Sequence, residues 1–336
     1  MRILLLGGSG LLSGAALRAF VRAGHDVSVL TRGERALAPG ARPIRADRRD
    51  ATSLRSALEG ARFDFTADFL AFGGGDVERL LGVPGFDPGR LVTISSGQVY
   101  LVTASPAPPF REEDAGRPLM PEPAPGTRDH DEWKYGMGKR AMEAALARAT
   151  AATGLRALAL RIPVVQGEAD GDGSRRLWAW IERLLDGEPV LLPEAGGQVV
   201  RFVYVEDVAA VLLTLAGSPV FPAGPAFNFA QPDELPLRAF LEQVAALAGV
   251  KPRFVAADRA ALERAGLADS CAPYWGRWCS RPDPARAIAQ LGVRPHSVAE
   301  YLPDVVRAHL ASPRPASHPG YARRAEEIAL ARTIGG

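Results

Sequence analysis

The stretch Arg2-Ile3-Leu4-Leu5-Leu6-Gly7-Gly8-Ser9-Gly10-Leu11-Leu12-Ser13-Gly14 decides the fold. Ile3 to Leu6 is an apolar run without polar alternation. Such a run describes a strand covered on both faces, as inside a parallel sheet. It stops at glycines, which supply the backbone freedom of a tight turn. A helical pattern follows from Leu11 to Ala23 and ends at Gly24. Glycines between a strand and a helix let the main chain approach a pyrophosphate, which then sits on the helix N-terminus. Gly7, Gly10, Leu11 and Leu12 are therefore candidate dinucleotide contacts. Ser13 stands at the third glycine of the usual spacing, with Gly14 after it, which predicts slightly wider helix-to-strand packing.

Outward from this unit the pattern repeats. Strands are predicted over 25–31, 43–47, 63–71, 90–95 and 155–165, and helices over 11–23, 54–61, 76–81 and 131–152. This alternation predicts an α/β chain with a Rossmann-type doubly wound parallel sheet of seven strands. Ligands in such sheets bind at the carboxyl ends of the strands. The rest is less regular, with helices predicted over 175–185, 206–216, 237–247, 286–292, 298–310 and 321–332, and strands over 199–205 and 226–229. The expected division is a dinucleotide-binding domain over 1–165, to which the strand and helix of 199–216 return. A smaller C-terminal substrate-binding lobe then occupies most of 166–336. The Pro-rich segment 104–125 has the length of a binding loop.

Composition narrows the setting. The 336 residues carry 40 Lys+Arg against 38 Asp+Glu, a net charge of +2. That balance excludes a strong global field for nucleic acid or an acidic membrane. Two cysteines, Cys271 and Cys279, make no disulfide framework, and no Cys/His cluster suggests a metal. No stretch approaches the roughly 20 apolar residues of a membrane span. A cytoplasmic location is expected. Only three basic residues are lysines, Lys134, Lys139 and Lys251, so each lysine stands out.

The end of the second strand is where an acid usually binds the ribose of NAD. Here it reads Thr31-Arg32-Gly33. An arginine there can pair with a 2′-phosphate, which favours NADP(H) over NAD(H). A solvated surface arginine is the alternative. Asp47 and Arg48, after the third strand, are candidates for the adenosine end. Asp47 can accept from the adenine amino group or serve as a strand-end turn residue.

Tyr135-Gly-Met-Gly-Lys139 places a phenol and an ammonium four residues apart on one helix face. A free phenol has a pKa near 10, and a neighbouring ammonium favours the phenolate. Tyr135 can then take a proton from a hydroxyl as hydride leaves the same carbon, and return it in reverse. Ser96, at the end of the fifth strand, can hydrogen-bond the same oxygen.

With these motifs the sequence resembles the extended short-chain dehydrogenase/reductases of the NAD-dependent epimerase/dehydratase group. The resemblance rests on GGSGLLSG at 7–14, SSGQVYL at 95–101, YGMGK at 135–139, LRIPVVQG at 160–167 and RFVYVEDVA at 201–209. It implies catalytic roles for Ser96, Tyr135 and Lys139, cofactor contacts at Pro163 and Val164, and a homodimer. Nucleotide-sugar members often carry an Asn after the sixth strand, and this chain has none there. Dehydratase members carry Asp-Glu where Gly97-Gln98 stands here. Beside Ser96 the motif thus lacks the extra acid/base pair of elimination, and simple hydride transfer is favoured. Gln98 is a candidate substrate contact.

Arg201 matches a phosphate-binding arginine of sugar-nucleotide members. A salt bridge to Glu206 or Asp207 explains it as well. Tyr274 and Trp275, in an aromatic cluster, either wall a substrate or pack the smaller lobe. The expected activity is reversible carbonyl/alcohol hydride transfer by an NADP(H)-dependent oxidoreductase on a small-molecule, sugar-like or secondary-metabolite substrate. Two alternatives stand beside it. One is a sugar-nucleotide epimerase with transient oxidation. The other is a non-catalytic, RNA-associated or regulatory NADP-binding protein. Against RNA stand the retained YxxxK pair and the absence of a basic stripe.

Overall fold

A computed structural model of the chain describes residues 1–167, 176–222, 224–268, 274–311 and 317–335. Arg175 and Cys271 lie outside these residues. The strands are β1 (Arg2–Leu6), β2 (Asp26–Thr31), β3 (Ala41–Arg45), β4 (Phe65–Asp68), β5 (Arg90–Ser96), β6 (Ala157–Ile162), β7 (Val164–Gln166), β8 (Val190–Pro193), β9 (Val199–Val200), β10 (Phe202–Tyr204), β11 (Ala226–Asn228), β12 (Leu235–Pro236) and β13 (Phe254–Ala257). The helices are α1 (Leu11–Arg22), α2 (Ala51–Leu58), α3 (Gly74–Leu81), α4 (Gln98–Leu101), α5 (Arg128–Thr153), α6 (Arg176–Leu185), α7 (Val205–Gly217), α8 (Leu237–Leu247), α9 (Arg259–Arg264), α10 (Ala285–Leu291), α11 (Val298–Ala311) and α12 (Arg324–Gly335).

Two units divide the chain. The first comprises Met1–Val165, Phe202–Pro232 and Ser280–Pro295. Its seven strands run in the order β11-β6-β5-β4-β1-β2-β3, and the pairs described are parallel. This is the doubly wound sheet expected from the alternation. The two faces of β1 show why its sequence lacks polar residues. Ile3 and Leu5 pack with Leu17 and Phe20 of α1 and Val208 and Leu212 of α7. Leu4 and Leu6 pack on the opposite side with Leu54 and Leu58 of α2 and Leu80 of α3. Burying each such side chain contributes about 1.5–3 kcal/mol relative to exposure.

The helix α7 returns to this sheet beside α1, and Arg18 and Arg22 both reach Glu206, at 3.3 and 3.5 Å. Its C-terminal carbonyls need donors, because the last turn of a helix has no internal partners. Arg90, at the start of β5, supplies them to Leu215, Ala216 and Ser218.

The second unit comprises Gln166–Arg201, Asp233–Cys279 and His296–Gly336. Within it β8 pairs with β13 in parallel, and β9 pairs with β12 antiparallel. Buried ions tie the last helix in place. Arg183 of α6 grips Glu327 of α12 through two hydrogen bonds of 2.9 and 2.7 Å, and Arg324 grips Asp186.

Several boundaries differ from expectation for physical reasons. The strand expected over 199–205 is two short strands, β9 and β10, with Arg201 between them. The third strand starts two residues early, at Ala41, and is an edge strand with its residues partly exposed, so its apolar signal is weak. β8 and β13 are not foreseen at all. Each has four residues, and their pairing joins segments far apart in sequence. Among the described residues no helix is long and apolar enough to cross a membrane, and no cluster of residues is arranged to hold a metal.

Candidate active site

The β1–α1 turn is built from glycines that pack closely. Gly7 has φ +92°, a region L side chains rarely adopt. A Cβ on Gly8 would lie 2.6 Å from Val29 Cγ1. Gly10 caps α1, and its N–H donates to the buried Ser13 hydroxyl at 3.2 Å. Ser13 thus serves the turn rather than merely replacing a glycine. The first intrahelical bond runs from Gly14 N to Gly10 O at 2.7 Å. The amides of Leu11 and Leu12 lie ahead of it, at the positive end of the helix dipole. This bare backbone cradle fits the pyrophosphate of a dinucleotide.

At the end of β2, Arg32 is exposed and pairs with Glu34 at 2.9 Å. Asp47 behaves as a turn residue, because its Oδ1 accepts from Arg49 N at 2.9 Å. Arg48 turns inward. It is buried, donates to Asp68 Oδ1 at 2.5 Å and to the Asp76 carbonyl at 3.1 Å, and its Nε makes no hydrogen bond but lies 3.9 Å from Asp76 Oδ1. Asp68, on the end of β4, is fully buried, and its second oxygen also has no partner. Pro163 and Val164 follow β6, buried and half-buried respectively.

Ser96, Tyr135 and Lys139 gather near the carboxyl ends of β4 and β5. Lys139 is 2% exposed. Its Nζ donates to the carbonyls of Ala71, just beyond β4, and Ile94, in β5, both at 2.8 Å. The ammonium lies 4.6 Å from the Phe72 ring centre and 5.7 Å from that of Tyr135. Burial draws the Lys139 pKa down to about 8. The unfolded chain therefore binds more protons than the folded one between about pH 8 and 10.5. The Lys139 contribution to stability should consequently rise with pH across that window. Denaturant titrations of wild type and Lys139→Met over this range check it, through a stability difference that shifts toward wild type as pH rises.

Glycines explain how the helix comes this close. A Cβ on Gly136 would lie 2.6 Å from Val102 Cγ1 and 2.9 Å from the Gln98 carbonyl. A Cβ on Gly138 would overlap the Phe72 carbonyl oxygen. The YxxxK segment of α5 thus rests directly on α4 and on the loop after β4. Tyr135 stays 37% exposed, its ring 6.2 Å from that of Phe72. Ser96 Oγ accepts from Gln98 N at 3.2 Å, so its own hydrogen is left to donate elsewhere.

Behind Ser96 lies a polar brace. Ser95 donates to Glu143 at 2.5 Å, and Arg161 of β6 binds both oxygens of Glu143, at 2.9 and 2.7 Å. Arg161 also donates to Tyr100 Oη at 2.9 Å, and Tyr100 donates to Asn228 Oδ1 at 2.5 Å. Burial holds the Tyr100 phenol well above its ordinary pKa, so it stays a donor. The two tyrosines of the region have distinct settings, one sealed in the brace and one open beside an ammonium.

One carboxylate was not legible in the motif. Gln98 is 7% exposed, and its amide donates to Glu132 on α5, one turn before Tyr135. The segment after Ser96 lacks an acid of its own, and α5 brings the Glu132 carboxylate onto Gln98 from 34 residues away. The only sequence signal is the i, i+3 spacing of Glu132 and Tyr135.

Arg201, Tyr274 and Trp275 belong to the second unit. Arg201 is buried with Glu234 at 3.7 Å, and Glu206 is held by Arg18 and Arg22. Tyr274 is buried with φ +70° and packs edge-on against Phe240. Trp275 lies under the Arg259 guanidinium at 5.3 Å.

Known proteins are similar to this chain in sequence or in fold. A 2′-dehydrokanamycin reductase from Streptomyces kanamyceticus is 28% identical over 251 residues, which cover 73% of this chain and 66% of that protein. The chain thus spans just under two thirds of that relative's length. A dTDP-glucose 4,6-dehydratase from Streptomyces venezuelae, solved with NAD bound, is similar in fold at TM-score 0.66 and 22% identity, covering 92% of this chain and 97% of the other. A UDP-galactose 4-epimerase aligns at TM-score 0.65 and 19% identity, covering 92% and 99%. Residues 77–230, from α3 through the YxxxK helix to the end of the seven-stranded sheet, match the model of the NAD dependent epimerase/dehydratase family.

Proposed function

We propose that this chain is an NADP(H)-dependent oxidoreductase that interconverts a carbonyl and an alcohol on a small molecule. One observation carries the reading: a buried ammonium, Lys139, is fixed by two main-chain carbonyls next to an accessible phenol, Tyr135. The name of the reductase relative supports the direction of reduction. A bound nicotinamide supplies or accepts the hydride. The protein's own groups handle the oxygen. Ser96 donates a hydrogen bond to the carbonyl oxygen and orients it. Tyr135 donates its proton to the alkoxide as that charge develops. Lys139 stabilises the phenolate left behind, and the brace of Ser95, Glu143 and Arg161 holds the end of β5 that carries Ser96.

Gly7, Gly10 and the amides of Leu11 and Leu12 would hold the pyrophosphate. Arg32 would read the 2′-phosphate. Its surface pair with Glu34 contributes under about 1 kcal/mol, so a phosphate can displace that carboxylate. Arg32→Ala is expected to weaken NADPH binding by about 10–50-fold, the loss of one charge-assisted interaction, with little change for NADH. Fluorescence titration with both cofactors checks this, and equal losses would remove Arg32 from 2′-phosphate recognition. The function itself is tested by NADPH oxidation over a panel of carbonyl compounds. No turnover together with a gel shift of structured RNA would reject it.

A further inference from the structure

Glu132 is the charged group at this site that the hydride-transfer chemistry leaves unused. It stands one helical turn before Tyr135, and the nearly buried Gln98 amide, two residues after Ser96, holds one of its oxygens. Among the described residues no other donor reaches the Glu132 carboxylate. A carboxylate is an acceptor only, and an ammonium with three donors is its natural complement.

Acids outnumber bases in the chain leading up to Glu132, and Lys134 and Lys139 follow it on α5. Segment 112–132, which leads into α5, carries seven acids against Arg117 and Arg128. Of these acids, Asp114 pairs with Arg117 at 2.8 Å and Glu122 with His130 at 3.0 Å. The Glu132 carboxylate itself repels a phosphate and attracts a cation. Resting on the oxidoreductase reading above, we infer that Glu132 is a specificity-determining residue that selects alcohols and ketones bearing a protonated amine near the reacting carbon.

The test compares trans-2-aminocyclohexanol with cyclohexane-1,2-diol, each oxidised with NADP+. The carbinol carbon gives up a hydride to NADP+, the hydroxyl proton passes to Tyr135, and the ketone forms. Wild type should favour the amino alcohol at least 10-fold in kcat/KM. In Glu132→Gln that ratio should fall about 30-fold, and Glu132→Asp should restore part of it. No amine preference in wild type, or an equal loss on both substrates in Glu132→Gln, would overturn the inference. Calorimetric binding of the two probes to wild type and Glu132→Gln, with NADP+ present, separates the two readings. Amine-selective binding that depends on Glu132 without turnover would sink the oxidoreductase reading alone. Turnover of both probes with no effect of Glu132 would sink this inference alone.

Discussion

Tyr135→Phe is expected to lower kcat by about 10³-fold, the typical worth of a positioned general acid, while NADPH still binds. The substitution removes one oxygen and keeps the ring. The packing of that ring against Phe72 and its approach to the Lys139 ammonium therefore persist. Lys139 keeps its seat, because its bonds go to the carbonyls of Ala71 and Ile94 rather than to the phenol. Stability should change little, since Tyr135 is more than one third exposed. The matched control is Tyr100→Phe. That residue is sealed in the brace with Arg161 and Asn228, so its loss should appear mainly as a lower melting temperature. Steady-state kinetics and thermal melts on both variants separate the two tyrosines. Retained turnover in Tyr135→Phe would end its assignment as the acid.

Much of the fold was legible because its signals are local. Ile3 to Leu6 read as a strand covered on both sides, and α1 on one face and α2 and α3 on the other do cover it. Gly7 and Gly10 marked a turn whose backbone is now seen to be bare. Other features depend on segments that sequence order keeps apart. The seat of Lys139 joins α5 to main chain 68 and 45 residues earlier, and carbonyl groups leave no trace in side-chain chemistry. Arg48 is expected at the cofactor from its place after a strand, and that place does not reveal its bonds to Asp68 and the Asp76 main chain. Glu132 reaches Gln98 only because α5 lies on α4. The scarcity of lysine raised attention to Lys139 but could not reveal that it is buried.

Gly138→Ala carries the second large effect, and it acts through packing rather than chemistry. The added methyl would overlap the Phe72 carbonyl oxygen, which belongs to the main chain and has no rotamer to give. Either the loop after β4 or α5 must then move. Forced overpacking of this kind costs roughly 1–3 kcal/mol, which over most of that range exceeds the gain of about 1 kcal/mol that Ala gives over Gly within a helix. The same displacement shifts Tyr135 and Lys139, which flank Gly138 on the helix, and it pulls on the Ala71 carbonyl that holds Nζ. A misplacement near 1 Å lowers turnover by about 10²-fold. Gly217→Ala is the control, because a Cβ at that position of α7 meets no atom within 4 Å. It should leave both melting temperature and kcat near wild type, or raise the former slightly. A Gly138→Ala protein that melts and turns over like wild type would show that α5 does not rest on the Phe72 main chain as described.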